Sequence, residues 1–310
     1  EQVLTSKLVD VVKFEKLDLL HVHYAIPHAS AAYMAQQILK DQGIKIPFIT
    51  TLHGTDITLV GKDPSFEPVI NFSINHSNMV TAVSESLKKE THELFDIKKE
   101  IKVIPNFICL NEYKLDNNEF YKKRFAPNNE KIICHVSNFR KVKRIEDVLT
   151  TFEEISKKTE VKLILVGDGP ERPRLEKISR KSDFKENIFF LGSLKSTKEV
   201  LNISDLFILP SSKESFGLSA LEAMACSVPV IASNSGGIPE VVIHEESGLL
   251  NDVGDTNQMT INALKIISNH DTLEKYKSNA LNQAKSFDIE IILPRYENLY
   301  RECVNYYLSN

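Results

Sequence analysis

No apolar run in the 310 residues approaches the roughly 20 needed to cross a bilayer, so a membrane-spanning helix is not expected. Four cysteines, Cys109, Cys134, Cys226 and Cys303, lie far apart and form no CxxC pair. Neither a zinc site nor a disulfide framework is therefore indicated, and a reduced, cytoplasmic protein is expected. No HExxH is present, and His21 and His23, alternating on a short apolar run, are assigned to opposite sides of a strand, which sets aside a zinc pair. A net charge of −4 argues against a large nucleic-acid footprint. Internal repeats and low-complexity tracts are also missing.

What is present is an ordinary globular composition, 42% hydrophobic and 26% charged, long enough for two domains with separate cores. Short β-branched, apolar runs at 19–22, 48–52, 79–83 and 102–104 are each followed by a polar loop and usually a helical stretch. A second series lies at 131–136, 162–166, 188–191, 206–209 and 228–232. Such alternation predicts two parallel sheets wrapped by helices, hence an α/β protein of two Rossmann-like domains. The segment between the series is polar, carries Pro105 and Pro127 and shows no apolar periodicity, so the linker is placed there. Helical stripes follow at 259–267 and 273–284, and a Tyr- and Leu-rich segment closes the chain at 289–308.

The sharpest chemistry lies in residues 206–240. The apolar run 206–209 enters Pro210, and Leu218, Leu221, Ala225 and Val228 then recur at helical spacing. Glu214 falls in the loop; Glu222 comes eight positions later, over two turns along the expected helix. Between them Ser215, Phe216, Gly217 and Leu218 offer backbone N–H groups at a helix start, where a phosphate is favoured. Carboxylates bind sugar hydroxyls and amides bind diphosphate. Read singly, each glutamate is equally a solvated helix or first-turn charge.

As a unit, ESFGLSALEAMA followed by PVIASNSGGIPE resembles the Glu-x7-Glu signature of retaining glycosyltransferases of family 4 with the GT-B fold. The resemblance implies two Rossmann-like parallel-sheet domains with a nucleotide-sugar cleft between them. It places domains at 1–127 and 128–288, with a terminal helix, 289–310, crossing back to the first. It assigns Glu214 to hydroxyls of the donor sugar and Glu222 to the ribose. Ser235, Gly236, Gly237 and Pro239 match the family's next turn. The family's first strand and glycine loop are not found in EQVLTSKLVDVVKFEKLDLLHVH, so the first domain is expected to be incomplete at its start.

Other strings take meaning beside that pair. Arg140, Lys141, Lys143 and Arg144 follow a buried run; alone they suit a solvated face, but a diphosphate leaving group needs cationic and amide donors as its bond breaks. The resemblance carries the clamp to Arg140 and Lys143. Gly167-Asp168-Gly169-Pro170 ends a strand as a tight turn that does not fit GxGxxG, which disfavours an oxidoreductase. In the family this turn lines the nucleotide pocket, and backbone groups around Leu194 and Lys195 read the base. His53, at a strand end, is a general base, a ligand or a satisfied loop residue on its own; the resemblance places it near the donor sugar. Tyr24, His28, Thr55 and Asn106 follow strands of the first domain, and Tyr24, Thr55 and Asn106 are the candidates for holding an anionic acceptor. No DxD occurs, which disfavours a metal-dependent enzyme of the other glycosyltransferase fold, and no metal or cofactor is expected.

The strings TLHGTDITLVGKDPSFEPVINFSI, VTAVSESLKKET, VIPNFI and HVSNFRKVKR extend the resemblance to one branch of the family across essentially the whole chain. That branch implies transfer of N-acetylglucosamine from UDP-N-acetylglucosamine to the hydroxyl of L-malate, the first step of bacillithiol biosynthesis, with small-molecule substrates and a homo-oligomer as the default assembly. A family 4 enzyme with a lipid or polysaccharide acceptor, a nucleotide-sugar epimerase or hydrolase on the same fold, and a silent binding module are the competing readings.

Overall fold

The computed structural model describes residues 1–59, 63–113 and 118–309. Residues 60–62 of the string TLHGTDITLVGKD, and 114–117 of the expected linker, lie outside the described residues. The chain divides into two units, one of Glu1–Asn106 with Glu290–Asn310, the other Phe107–Ile289.

In the first unit four strands, β1 (Leu20–His23), β2 (Phe48–Leu52), β3 (Met79–Ala82) and β4 (Ile101–Val103), form a parallel sheet in the order β1-β2-β3-β4. All five residues of β2, Phe-Ile-Thr-Thr-Leu, are buried, which is why it reads as a run of apolar and β-branched residues with no alternation. Helices Gln2–Glu15 and Ser30–Asp41 close one core through Val9, Val12, Ala32, Ala35 and Leu39. The terminal helix Ile289–Leu308 buries Ile292, Tyr296, Leu299 and Cys303, each about one turn from the next, against Ile49 and Ile104 of the same unit.

Among the described residues, the sheet of the second unit has six strands: β5 (Lys131–Val136), β6 (Val161–Val166), β7 (Ile188–Gly192), β8 (Leu206–Leu209), β9 (Val230–Ser233) and β10 (Gly248–Asn251). Their order is β10-β9-β8-β5-β6-β7, all parallel. The chain builds outward from β5 in one direction and then returns to its other side, so the connections diverge between β5 and β8. In open parallel sheets, a crevice forms outside the strand carboxyl ends at such a switch point. The strand expected at 228–232 begins only at Val230, after Pro229, whose carbonyl accepts from Phe207 N–H at 3.0 Å. β10 was not expected from the sequence.

Of the expected linker, 105–131 with a domain boundary at 127, the part from Phe107 onward belongs to the second unit. The helix Glu119–Phe125, capped by the Asn118 side chain, sets Phe125 edge-on to Phe189 at 5.2 Å, and Ala126 is fully buried. Its seven residues are too few to show a helical period, so its polar composition reads as loop.

Fully buried Phe152 sits in the core of the second unit, whereas Phe14 is 84% exposed. In urea unfolding, Phe152→Ala is expected to cost about 3–5 kcal/mol through lost transfer energy and a cavity, and Phe14→Ala less than about 0.5 kcal/mol. Equal costs would contradict the assigned core.

Candidate functional site

In the second unit, β8 delivers Glu214 into the loop at the switch point, and Gly217, at φ 98°, caps the helix Leu218–Ala225. This loop is fixed from below by the turn after β9. The Gly237 N–H donates to the Glu214 carbonyl at 2.8 Å, and the Ser235 hydroxyl donates to the Ser212 carbonyl at 2.9 Å. A Cβ at Gly236 would lie 2.0 Å from the Glu214 carbonyl oxygen, and its φ of +58° is one that side chains rarely adopt. Only glycine permits this approach.

The loop after β5 closes on the same place. Ser212 N–H donates to the Val142 carbonyl at 2.9 Å, and the Lys143 Nζ lies 2.6 Å from Glu214 Oε2, both side chains 17% exposed. The expected phosphate-binding cation and the expected sugar-binding carboxylate are thus in direct contact. Arg140 is exposed and lines a pocket of about 400 Å³ with Arg144, Arg174, Glu146, Asp147 and Glu171 among others. Arg144 pairs with Asp147 at 2.6 Å.

Beneath these loops, buried His135 on β5 has its Nδ1 2.8 Å from the Ile208 carbonyl of β8. A carbonyl only accepts, so Nδ1 carries the proton and Nε2 accepts from the Ser137 hydroxyl at 2.7 Å. Burial pulls this imidazole down to about 4, so a neutral ring ties the two strands together at the switch point.

Gly167 and Gly169 lie after β6. The Gly167 N–H donates to Gly192 at 2.8 Å, and the Asp168 carbonyl accepts from Phe139 N–H at 2.8 Å, so this turn rests on the loop after β5. Leu194 and Lys195 follow β7 and are exposed; Ser215 is partly exposed, Phe216 buried and Leu218 exposed. The carboxyl ends of β5 to β8 therefore carry all the donor-site candidates of this unit.

Glu222 is placed differently from expectation. The helix starts at Leu218, so Glu222 lies just past its first turn rather than over two turns along. Burial raises its carboxyl, while hydrogen bonds from the Tyr113 and Thr197 hydroxyls act in the opposite sense. Neither hydroxyl stood out in the sequence, because Tyr113 sits in the polar stretch expected as linker and Thr197 in a plain loop.

In the first unit, the candidates follow β1, β2 and β4. Tyr24 has φ 76°, uncommon for a bulky side chain. Asp56 is buried, and its two carboxylate oxygens accept from Ala25 N–H at 2.7 Å and Gly54 N–H at 3.1 Å, joining the loops after β1 and β2. Burial raises its carboxyl against these backbone donors. Thr55 is exposed and Asn106 partly exposed.

His21 and His23 face the same side, not opposite sides. Residues two apart on a strand share a face, and their ring centroids are 4.6 Å apart. His23 Nδ1 meets His53 Nε2 at 2.8 Å, while His21 is held at 2.8 Å by Tyr300 and at 2.7 Å by Thr51. Burial, then the neighbouring imidazoles, pulls His21 and His53 down to about 4 and lowers His23. Among the described residues no group of three His, Cys, Asp or Glu could hold a metal ion, and no helix is long and apolar enough to cross a membrane.

A parallel sheet with a basic loop, two glutamates and a braced helix start at its switch point is the layout of a nucleotide-sugar transferase, and comparison with known proteins agrees. The model of Glycosyl transferases group 1 matches residues 116–283, and that of Glycosyltransferase Family 4 matches 3–112. The N-acetyl-alpha-D-glucosaminyl L-malate synthase of Bacillus anthracis is 44% identical over 299 residues, 96% of this chain and 78% of that one. The 2-deoxystreptamine N-acetyl-D-glucosaminyltransferase of Niallia circulans is 31% identical over 159 residues, 49% of this chain and 41% of that one. Among solved structures, a sucrose-phosphate synthase from Thermosynechococcus elongatus superposes with TM-score 0.80 at 23% identity, covering 96% of this chain and 77% of that one. Anabaena HepE in complex with UDP and glucose gives 0.81 at 22%, covering 95% and 80%. The chain belongs to glycosyltransferase family 4, with the GT-B fold.

Two outcomes test this geometry. Gly236→Ala is expected to lower stability by more than about 1 kcal/mol from backbone strain alone, with reduced UDP affinity in calorimetry; unchanged binding and stability would contradict the bracing. For the histidines, folded values near 4 against 6.5 unfolded mean that the unfolded chain takes up more protons between those pH values. Stability should therefore fall as pH drops from 6.5 toward 4, and NMR titration should show His21 and His53 neutral at pH 6. Ordinary midpoints would contradict it.

Proposed function

We propose that this protein transfers N-acetylglucosamine from UDP-N-acetylglucosamine to the hydroxyl of L-malate with retention at the anomeric carbon, in the cytoplasm, as the first step of bacillithiol biosynthesis. The 44% identity over nearly the whole chain to a synthase of that name carries the reading. It is supported by the meeting of Lys143 and Glu214 at the switch point.

In this reading Glu214 accepts from donor-sugar hydroxyls and Glu222 from the ribose. Gly167, Gly169, Leu194 and Lys195 frame the nucleotide. Lys143, with Arg140 and the amides of Ser215 to Leu218, takes the charge that grows on the diphosphate as the sugar leaves. Double displacement would require a carboxylate nucleophile about 5 Å from its partner carboxylate, and the signature supplies none. The malate hydroxyl instead attacks from the face the diphosphate leaves: the bond from the anomeric carbon to the β-phosphate oxygen breaks, the new carbon–oxygen bond forms, and the departing phosphate takes the hydroxyl proton. His53, neutral at pH 7, is suited to a hydrogen bond with the donor sugar rather than to ion pairing. Malate is a dianion, and Tyr24, Thr55 and Asn106 can donate hydrogen bonds to it.

The reading is tested by UDP release from UDP-N-acetylglucosamine with and without L-malate, EDTA present. Malate-dependent release is expected, with Glu214→Ala and Lys143→Met each slowing it about 100-fold or more. Release indifferent to malate, or a Glu214→Ala enzyme near wild-type rate, would overturn it.

A further inference from the structure

Ser137 is the first residue beyond the carboxyl end of β5, the strand beside which the connections diverge. Its backbone is fixed. The N–H donates to the Val166 carbonyl of β6 at 3.1 Å, and its own carbonyl oxygen lies 1.8 Å from where a Cβ at Gly167 would stand, at a φ of +130° that side chains rarely adopt. Its hydroxyl is fixed as well. Fully buried His135 donates from Nδ1 to the Ile208 carbonyl, so in the neutral ring that burial enforces Nε2 is bare and can only accept. It takes the Ser137 hydroxyl proton, with oxygen and nitrogen 2.7 Å apart. A serine hydroxyl has a single proton and two lone pairs. With that proton committed to His135, the partly exposed oxygen meets a ligand only as an acceptor.

We propose that Ser137 is a specificity-determining residue of the donor site, accepting a hydrogen bond from an uncharged donor group of the transferred sugar, a hydroxyl or the acetamido N–H, and that His135 is the positioning residue that makes it an acceptor. This rests on the reading that the second unit holds a nucleotide sugar. The oxygens of an ionised diphosphate also only accept, so a serine oxygen whose proton is withheld gives them no hydrogen bond and repels them. The loop that begins at Ser137 carries Lys143, 2.6 Å from Glu214, further along. One short loop thus separates two chemistries, a bare oxygen for the sugar and an ammonium for the diphosphate. The choice between them is made by a ring that touches neither.

Calorimetry with UDP, UDP-N-acetylglucosamine and UDP-glucose tests this on wild type, Ser137→Ala, His135→Phe and the double variant. Ser137→Ala is expected to weaken UDP-N-acetylglucosamine about three- to tenfold, the scale of one neutral hydrogen bond, and to leave UDP within about twofold. An equal loss for UDP-glucose assigns the contact to a hydroxyl; no loss for it assigns the acetamido N–H. His135→Phe should reproduce the selective loss alone and add nothing in the Ser137→Ala background, whereas weakening of every ligand on both backgrounds would overturn the positioning role. Should His135→Phe not fold, nitrogen NMR of the wild type tests that role: protonated Nδ1 and bare Nε2 are expected, with the Nε2 signal moved by Ser137→Ala, and a protonated Nε2 would overturn it. Wild type that binds neither UDP nor UDP-N-acetylglucosamine would overturn the nucleotide-sugar reading itself. Wild type that binds both, with Ser137→Ala weakening neither or both equally, would overturn the role of Ser137 while leaving that reading in place.

Discussion

The candidate donor site of the second unit depends on a contact between two backbones. The turn after β9 can lie under Glu214 only because Gly236 and Gly237 have no side chains: a Cβ at the second would come 2.3 Å from the Ser215 carbonyl oxygen. With the turn seated, the Gly237 N–H holds the Glu214 carbonyl. The loop after β5 is then drawn in by the Ser212–Val142 hydrogen bond and the Lys143–Glu214 ion pair. At 17% exposure that pair is only modestly screened by solvent, and each partner would be costly to leave alone. A ligand offering a phosphate to Lys143 and hydroxyls to Glu214 supplies both with replacement partners. The ion pair is therefore consistent with a preformed donor site.

The first unit solves a different electrostatic problem. His21, His23 and His53 cluster there, and His23 and His53 hydrogen-bond to one another, an arrangement that two charged rings would not tolerate. Burial and mutual repulsion keep them neutral, so β1 and the loop after β2 present polar but uncharged rings. Asp56 binds the loops after β1 and β2 together through backbone donors instead of a cation.

Much of this was legible in the sequence because parallel strands buried on both faces leave continuous apolar runs, and all four runs of the first unit and the first five of the second became strands. Glu214, Gly236 and Gly237 were legible because one short string carries both the strand end and the helix start. The rest depended on contacts far apart in sequence. Tyr113 and Thr197 reach Glu222 across gaps of 109 and 25 positions, and no local pattern marks either. The helix Glu119–Phe125 was hidden by its shortness. The error over His21 and His23 was one of strand geometry, where a spacing of two means a shared face.

A crystal structure with UDP-N-acetylglucosamine bound tests the central claim most directly. The account predicts the Glu214 carboxylate on sugar hydroxyls, the Lys143 ammonium moved onto the diphosphate, and Glu222 on the ribose, with the Gly236–Gly237 turn unmoved. A nucleotide seated elsewhere, with the Lys143–Glu214 pair intact, would contradict it.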